Sequence, residues 1–458
     1  MSLFKEYAVG NIPFIILAAI IVLGPLVVFH EFGHFIVAKL LKIRVDVFSV
    51  GFGPRLIGKK FGDTDYRISA IPLGGYVKMK GENLDEELTG DKDEFMSHPK
   101  SHRFLVAIAG PAFNVLLAIL IPMIAVMIGI TVSKVSLEPA LVGKVEVGSP
   151  AEAAGIKAGD LIVQYGGNNS PKWRDVIDST LTNTGEPVSV IVERQGQKIP
   201  LSMTPKVVDI AGEKQGESGL APAIPHPPII GAIVEGMPAD RSGLKPGDKI
   251  LVINGEPIHD FYQAQRVISS SAGKELSLTI ERNGKQFDQN VTPVAADEKT
   301  GRGVLGFSQE EEKVIQRERN PIKAFNFAIS ENKRIIVLTW TVFGQAFAGK
   351  RNVGDSVAGP IRIAQYSSAV VQSKDWYTIL GFMALLSLNL GIFNLFPIPV
   401  LDGGLIFMLG MESVLGWFGR TLTLGIKEKM MQVGFVILLL LMGFVIYNDV
   451  IHTIPGAR

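Results

Sequence analysis

The chain has 458 residues, of which 47% are hydrophobic and 19% are charged, and its mean hydropathy is +0.29. It is too apolar for one ordinary soluble domain and too charged for membrane segments alone, so we predict a protein that is part membrane-embedded and part aqueous. The formal net charge of +1 gives no electrostatic ground for binding nucleic acid. The sequence has no cysteine, which excludes a thiol nucleophile, a disulfide framework and cysteine metal ligands.

The first transmembrane helix is predicted over residues 1–41, with a short polar tail at 1–11 and an apolar run from residue 12. The run is too long for the apolar part of a signal peptide and lacks a small-residue cleavage site, so we expect an uncleaved helix. It contains His30, Glu31 and His34. Such groups are costly at bilayer depth, so three within five positions require a functional reason.

The spacing of these three side chains supplies that reason. His30 and His34 lie four residues apart, on one face of a helix, so both can direct a ring nitrogen at a single metal ion. Glu31 lies beside that face, where its carboxylate can take a proton from a water that the metal activates. The H-E-x-x-H pattern is typical of zinc hydrolases, and we predict a zinc site. The alternative is a pair of core histidines hydrogen-bonded to Glu31, which would be a costly cluster inside a membrane.

Residues 42–103 are polar and rich in glycine and strand-forming residues, and we predict a cytoplasmic, membrane-associated β region. Two segments, 45–50 and 66–79, have β-type patterns and are separated by Gly51-Phe52-Gly53-Pro54. Strands beside a buried site can offer an edge to which an extended peptide adds. An ordinary hairpin is an equally supported alternative.

A second transmembrane helix is predicted over residues 104–132, an apolar run long enough to span a membrane. It contains Gly110, Pro111 and Asn114. In a membrane helix, such residues usually permit close packing, a kink or an interhelical hydrogen bond. We therefore interpret them as structural residues first.

An internal repeat follows the second apolar run. Residues 142–160 align without a gap with residues 230–248, at a constant offset (238 − 150 = 88). Both copies end in a G-x-x-x-G-D pattern that resembles PDZ domains, and we predict two such domains, over 139–208 and 222–294. They either hold extended peptides by strand addition or act only as spacers and steric gates.

The rest of the chain is predicted to return to the membrane. Residues 320–376 have apolar residues at helical spacing but no uncharged run of spanning length, which indicates amphipathic helices at the membrane surface. A third transmembrane region is predicted over 377–416 and a fourth helix over 430–451.

Pro397 and Pro399 interrupt the third region, and non-helical backbone at membrane depth persists only inside protein or against water. Asp402 follows the break, and an intramembrane carboxylate is a functional candidate by default. Because a catalytic zinc site commonly has three protein ligands and a water, we predict that Asp402 completes the set with His30 and His34. The alternative is that Asp402 only caps the helix that restarts there.

Positive charge on short loops predicts the orientation. The loop from 42 to 103 and the loop before residue 430 are flanked by basic residues, namely Lys42, Arg44, Lys100, Arg103, Arg420, Lys427 and Lys429. Both ends of the chain are nearly bare of positive charge. By the positive-inside rule these loops are cytoplasmic, so the repeats lie outside and the metal site lies toward the cytoplasmic leaflet.

These motifs together resemble the site-2 protease family of intramembrane zinc metalloproteases, in particular its bacterial members with tandem periplasmic PDZ domains. The similarity covers nearly the whole chain. It is based on H-E-F-G-H at 30–34, G-F-G-P at 51–54, I-P-L-G-G-Y-V-K-M at 71–79, A-G-P-x-x-N at 109–114, G-P-I at 359–361 and N-L-F-P-I-P-V-L-D-G-G at 394–404. One departure is Leu405, where relatives commonly have histidine.

The resemblance implies a multi-pass α-helical membrane protein, with four transmembrane helices and a membrane-associated β-sheet, plus two PDZ-like α/β domains. It places this protein in the bacterial cytoplasmic (inner) membrane. The implied site is as follows: His30, His34 and Asp402 hold Zn²⁺, Glu31 is the catalytic base, Asn394 holds a substrate carbonyl, and Gly74, Gly75, Tyr76, Pro397 and Pro399 contact substrate.

The implied activity is proteolysis of single-span membrane proteins within the bilayer, such as a pre-trimmed anti-sigma factor or remnant signal peptides, with the PDZ pair gating access. Membrane lipid is the other expected partner, and nucleic acid is not one. A different class of protein remains as an alternative, namely a non-catalytic membrane adaptor that binds peptides through its PDZ pair. Loss of any of His30, Glu31, His34 or Asp402 would favour the adaptor, and all four are present.

Overall fold

The computed structural model describes residues 12–82, 89–183, 185–210, 213–223, 227–234, 236–295, 303–310, 312–351, 354, 357–420 and 422–453. The predicted polar tail at 1–11 lies outside the described residues. The chain divides into two compact units. One consists mainly of residues 131–316 and 337–356, and the other of residues 11–130, 317–336 and 357–458.

The helices in chain order are α1 (Ile12–Leu40), α2 (Lys100–Ile128), α3 (Lys134–Leu137), α4 (Pro150–Ala153), α5 (Trp173–Leu181), α6 (Pro238–Arg241), α7 (Phe261–Ser269), α8 (Pro321–Phe347), α9 (Pro360–Gln372), α10 (Trp376–Asn394), α11 (Asp402–Trp417) and α12 (Leu424–Thr453).

The strands in chain order are β1 (Val45–Phe61), β2 (Thr64–Met79), β3 (Ile130–Ser133), β4 (Val142–Val145), β5 (Leu161–Tyr165), β6 (Asn168–Asn169), β7 (Val188–Arg194), β8 (Gln197–Met203), β9 (Lys206–Ile210), β10 (Glu213–Glu217), β11 (Leu220–Pro222), β12 (Ile230–Ile233), β13 (Lys249–Ile253), β14 (Glu256–Pro257), β15 (Leu276–Arg282), β16 (Lys285–Val291), β17 (Val294–Ala295), β18 (Gly303–Val304), β19 (Phe307–Gln309) and β20 (Lys313–Gln316).

Four helices are long and apolar enough to cross a membrane, namely α1, α2, α10 and α12, among the residues that the structure describes. They correspond to the four predicted transmembrane segments. The third segment is broken as expected, because α10 ends at Asn394 and α11 begins at Asp402, with Pro397 and Pro399 between them. Most side chains along α12 are exposed, as is typical of a helix that faces lipid.

Two predicted helix boundaries were wrong. The second transmembrane helix does not continue to residue 132, because Gly129 takes a φ of 118° and the chain enters β3, which pairs with β20. An L-residue rarely adopts that conformation, so the glycine ends the helix where hydropathy alone would continue it. The fourth helix begins at Leu424 rather than at residue 430.

The predicted break at Gly51–Pro54 is a bend inside β1 rather than a gap between two strands. Gly51 and Gly53 have φ values of 90° and 88°, and a Cβ on Gly51 would lie 2.7 Å from the carbonyl oxygen of Ile71. The hairpin turn lies further on, at Gly62 (φ 59°). Before the bend, residues 47–50 pair with residues 75–78 on one side and with residues 65–68 on the other.

An apolar cluster joins this sheet to the helices. The end of α1, the start of β1, the end of β2 and the first turns of α2 contribute to it. Its buried members are Ala38, Ile43, Val45, Met79, Phe95 and Val106. Removal of their apolar surface from water holds β2 beside the histidine-bearing half of α1. Leu405, the departure from the family pattern, is partly buried against this cluster.

Each predicted PDZ-like repeat folds into the same set of elements around its own apolar core. The first has a four-stranded antiparallel sheet in the order β6-β5-β7-β8, and the second has the order β14-β13-β15-β16. The first strand of each repeat pairs with a late strand, β4 with β11 and β12 with β19. Both late strands lie beyond the predicted domain limits of 208 and 294, so each repeat extends further along the chain than the prediction.

A buried ion pair occupies the same position in each repeat. The Arg194 side chain donates to both carboxylate oxygens of Asp160, at 2.6 and 2.7 Å, and Arg282 does the same to Asp248. These aspartates close the two G-x-x-x-G-D patterns, and their side chains are almost fully buried. Burial alone would raise the pKa of Asp160, but the hydrogen bonds from Arg194 outweigh it and hold that pKa below its usual value.

Replacing Asp160 with asparagine should destabilise the first repeat by about 2 kcal/mol, because charged hydrogen bonds are lost and Arg194 loses its partner. The pKa of Asp160 is lower in the folded state than in the unfolded state. The native pair therefore stabilises the repeat above the unfolded pKa of about 4 and loses that contribution as pH falls through the folded pKa. The Asp160→Asn variant should lack this acid-dependent part. Hydrogen exchange of the backbone amides in both repeats measures the effect, with the second repeat as the internal control. An equal loss of protection in both repeats would contradict the prediction.

Candidate metal centre and active site

Three predicted metal ligands converge where α1 meets the start of α11. His30 Nε2 lies 3.2 Å from His34 Nε2 and 3.2 Å from Asp402 Oδ2, and His34 Nε2 lies 3.3 Å from Asp402 Oδ1. His30 is buried, and one ligand atom from each residue falls within 4.8 Å of the others. No other cluster of this kind occurs among the described residues.

The donor separations fit a tetrahedral zinc ion. Zn–N and Zn–O distances of about 2.05 Å at tetrahedral angles place the ligand atoms about 3.3 Å from one another. Asp402 presents a different carboxylate oxygen to each imidazole, Oδ2 to His30 and Oδ1 to His34. Two imidazole nitrogens and one carboxylate are two neutral ligands and one anionic ligand, a set that a zinc ion binds. The fourth position of a catalytic site belongs to water or substrate, and these three side chains leave it open.

Hydrogen bonds to groups on α2 orient the imidazole rings of His30 and His34. His34 Nδ1 donates to the carbonyl oxygen of Val106 at 2.8 Å, so its Nε2 carries the lone pair that faces the centre. The side-chain amide of Asn114 lies 3.0 Å from His30 Nδ1. Asn114 is fully buried, and its Oδ1 has no hydrogen-bond partner among the described residues. A 180° rotation of the amide places Oδ1 where it accepts the proton of His30 Nδ1, which leaves His30 Nε2 free for a metal.

Glycine at position 110 allows α2 to approach the two imidazoles. A Cβ on Gly110 would lie 2.7 Å from both Cε1 and Nε2 of His30, and closer still to Nε2 of His34. On α1, a Cβ on Gly33 would lie 2.5 Å from the carbonyl oxygen of Ala109. The sequence indicates a structural role for Gly110, Pro111 and Asn114, namely close packing, a kink or an interhelical hydrogen bond, without linking any of them to the histidines. The signal for the role of Asn114 is that it is an asparagine within an apolar run.

Glu31 is not one of the three converging donors. Its Oε2 accepts a hydrogen bond from the backbone N–H of Val77 on β2, at 3.1 Å. A Cβ on Gly75 would lie 3.4 Å from Glu31 Cγ, so this part of β2 passes directly beside the carboxylate. The structure thereby brings the predicted base and the predicted substrate-binding strand together.

The other predicted substrate-binding residues lie in two places. On β2, Gly74 has a φ of 121° and its missing side chain makes room for the ring of Phe52, which stacks on Tyr76 with centroids 6.0 Å apart. After α10, Pro397 is exposed, whereas Pro399 packs against Gly434 of α12. The structure therefore places Pro399 in helix packing beside the site.

Asn394, the predicted substrate-positioning residue, lies at the last position of α10. Its Nδ2 is 3.4 Å from His30 Nε2. The side chain is therefore next to the three converging donors without being one of them. An amide at this distance can donate a hydrogen bond to a carbonyl oxygen held at the centre.

Replacing Asn114 with leucine should weaken zinc binding by about 10- to 100-fold, because the partner that fixes the His30 ring is removed. The matched control is Asn332→Leu. Asn332 is also a buried amide, and its Nδ2 donates to the carbonyl oxygen of Ala118 on α2 at 2.9 Å. Within the described part of the chain its side chain bonds Ala118 and Ala328 and none of the three metal ligands. Competition with a zinc-selective chelator measures affinity in both variants. Equal weakening would show that helix packing, rather than ring orientation, is responsible.

Comparison with known proteins places these residues in a family. The model of the family described as peptidase family M50 matches residues 18–441. The regulator of sigma-E protease RseP of Escherichia coli is 30% identical over 449 residues, which cover 94% of this chain and 97% of that protein. The regulator of sigma E protease of Haemophilus influenzae is 32% identical over 448 residues, with the same coverage. A predicted zinc metalloprotease of Neisseria meningitidis is 31% identical over 453 residues, covering 95% and 98%.

Among solved structures, a PDZ domain of an SdrC-like protein from Listeria monocytogenes covers 18% of this chain and 84% of that chain. The sequence identity is 21% and the TM-score is 0.16, a likeness too slight to carry an argument.

Proposed function

Since this chain belongs to peptidase family M50, we propose that it cleaves single-span membrane proteins inside the bilayer, with a zinc ion held by His30, His34 and Asp402. Membership, together with the similarity to RseP over most of the chain, makes it a site-2-type metalloprotease. The observation that carries the proposal is the convergence of these three side chains, in which the nearest ligand atoms of each residue pair lie 3.2–3.3 Å apart. His30 and His34 lie on α1, a helix of spanning length, and Asp402 lies at the start of α11.

The side chains around the three donors have separate roles in the proposed reaction. When bound, zinc would polarise the scissile carbonyl and lower the pKa of a water. Glu31 would take the proton of that water and return it to the leaving amine. Its hydrogen bond to the Val77 N–H keeps the carboxylate at β2 rather than among the metal ligands. Asn394 would hold the substrate carbonyl.

The substrate is proposed to enter as an extended peptide beside β2. A helical segment hides its carbonyls in its own hydrogen bonds, so the substrate must unwind before it can react. Gly75 leaves the strand without a side chain next to Glu31, Gly74 makes room for the Phe52 ring, and Tyr76 follows them. We assign substrate contacts to these three residues and to Pro397, which is exposed where the chain is non-helical, whereas Pro399 packs against Gly434 of α12.

The orientation is proposed from charge. The basic loops at 42–103 and before residue 430 are assigned to the cytoplasm, which places the two PDZ-like repeats outside the inner membrane. The repeats would then meet a substrate on the outer side, where they gate access to the site. A substrate already shortened on that side is the expected form.

The test uses purified protein in detergent and a truncated single-span substrate whose span contains helix-breaking residues. We expect cleavage within the span, loss of cleavage with a zinc chelator, and recovery when zinc is restored. Replacing the helix-breaking residues with leucine should slow cleavage, because the span unwinds less readily. Equal cleavage rates for the two substrates would contradict the requirement that the substrate unwinds. Cleavage that persists in the chelator, or cuts mapped only outside the span by mass spectrometry, would overturn the proposal.

A further inference from the structure

A cluster of three cations surrounds one carboxylate at the starts of α2 and α12. Glu412 on α11 contacts the Lys427 ammonium, and its Oε2 lies 3.7 Å from Arg103 Nη2 and 3.9 Å from Lys100 Nζ. Glu412 follows Asp402 by ten residues on α11, a rise of about 15 Å along the helix axis. This cationic cluster (Lys100, Arg103, Lys427 and Glu412) is therefore distinct from the metal centre.

The charges in the cationic cluster do not balance. Within the described part of the chain, three cations face one carboxylate, which leaves two positive charges in excess. Lys100 and Arg103 lie in the first turn of α2, and Lys427 lies in the first turn of α12. The positive end of a helix macrodipole disfavours cations in the first turn. Two helix N-termini therefore add to the positive potential, and the cluster is suited to an additional anion.

The Arg103 guanidinium makes no hydrogen bond to an oxygen atom of the residues that the structure describes, and its nearest carboxylate is that of Glu412. Only 11% of its side chain is exposed, and its Nε is buried without a hydrogen-bond partner among the described residues. Nη1 donates to the sulfur of Met96 at 3.4 Å, and Nη2 is too far from Glu412 for a direct hydrogen bond. A guanidinium has five N–H donors, so an oxygen-rich anion is the ligand that this side chain lacks.

We propose that Lys100, Arg103 and Lys427 bind the phosphate of an anionic phospholipid headgroup. A phosphate matches the planar donor fork of arginine and accepts hydrogen bonds from lysine. The first turns of two candidate spans lie where a membrane-spanning helix leaves the hydrocarbon, which is the depth of lipid phosphates. With one bound monoanion, the excess charge falls from two to one.

The proposal requires that the protein is in a membrane but does not depend on its being a protease. Binding is therefore measured without substrate, on the full chain reconstituted into nanodiscs or in detergent. The probes are phosphatidylglycerol, phosphatidylcholine as the uncharged-headgroup comparison, and inorganic phosphate. Native mass spectrometry counts the lipids retained, and a thermal shift reports the stabilisation that each probe produces.

Arg103→Gln removes the guanidinium, and Lys100→Gln removes the ammonium group. The Lys100 side chain is 44% exposed, so this position should tolerate substitution. Lys59→Gln is the matched control. It removes the same charge from the exposed end of β1, and Lys59 makes no contact with the cationic cluster. If the Arg103 variant fails to fold, the Lys100 variant still tests the site.

We expect the unmodified protein and the Lys59 variant to retain phosphatidylglycerol in preference to phosphatidylcholine. Arg103→Gln and Lys100→Gln should each weaken that binding by about tenfold. Equal weakening by Lys59→Gln would mean that only general surface charge is involved, which overturns the site. If inorganic phosphate stabilises the protein as much as phosphatidylglycerol does, the site binds a soluble anion and the proposal of a lipid ligand is overturned. Equal retention of both lipids by the unmodified protein would also overturn it.

Discussion

Replacing Glu31 with glutamine should leave about one zinc ion per chain and reduce cleavage of a truncated single-span substrate by about a thousandfold. The physical reason is a separation of roles. The three converging donors belong to His30, His34 and Asp402, whereas the carboxylate of Glu31 accepts from the Val77 N–H. Glutamine keeps the size of the side chain and an oxygen acceptor for that N–H, but it cannot act as a base at neutral pH.

The measurement combines the zinc content of the purified variant with its rate of cleavage. Glu82→Gln is the matched control, because Glu82 also accepts a hydrogen bond from a backbone N–H of β2, that of Met79 at 3.1 Å. It should retain both zinc and activity. Loss of zinc in Glu31→Gln would make Glu31 a ligand rather than the base. Full activity in Glu31→Gln would exclude it from the reaction.

Replacing Gly110 with alanine should weaken zinc binding by about a hundredfold and abolish cleavage, although the change adds one methyl group. The methyl carbon would lie within 2.7 Å of His30 and closer to His34, so the imidazoles or α2 must move. A well-packed interior resists such an insertion. Because the donors are only 3.2–3.3 Å apart, even a small displacement takes at least one of them out of reach of a shared ion.

The matched control for this change is Gly381→Ala on α10. No heavy atom lies within 4 Å of a Cβ at that position, and alanine is the better helix former by about 1 kcal/mol. The control should therefore keep its zinc and lose no stability. Zinc content and thermal unfolding distinguish the outcomes. An alanine at 110 that keeps full zinc occupancy would show that the gap between the helices adjusts without moving the donors.

The chemistry of the candidate metal centre could be predicted from the sequence because its signals are local. Helical spacing puts His30 and His34 on one face, and charged groups within apolar runs are costly enough to mark function. The same reasoning placed Asp402 after the proline break, and the structure brings it to the two histidines. The apolar runs indicated the spanning helices in the same way, since about 20 apolar residues cross a bilayer.

Features that depend on partners distant along the chain could not be predicted in this way. The repeats were recognised, but their limits were too short, because β11 and β19 close each repeat by pairing with its first strand. The bend at Gly51–Pro54 looked like the end of a strand, yet β1 continues and changes partners there. Strand pairing is a non-local choice, and short-range patterns do not specify it.

The sequence by itself determined which residues could do chemistry and which segments could enter a membrane. Only the tertiary structure decided what surrounds that chemistry. It puts Gly110 against both imidazoles, Asn114 beside His30, and the Val77 N–H on Glu31. Residue type and spacing are properties of one segment. These contacts instead join α1 to α2 and to β2, so they exist only after the helices and the sheet have packed together.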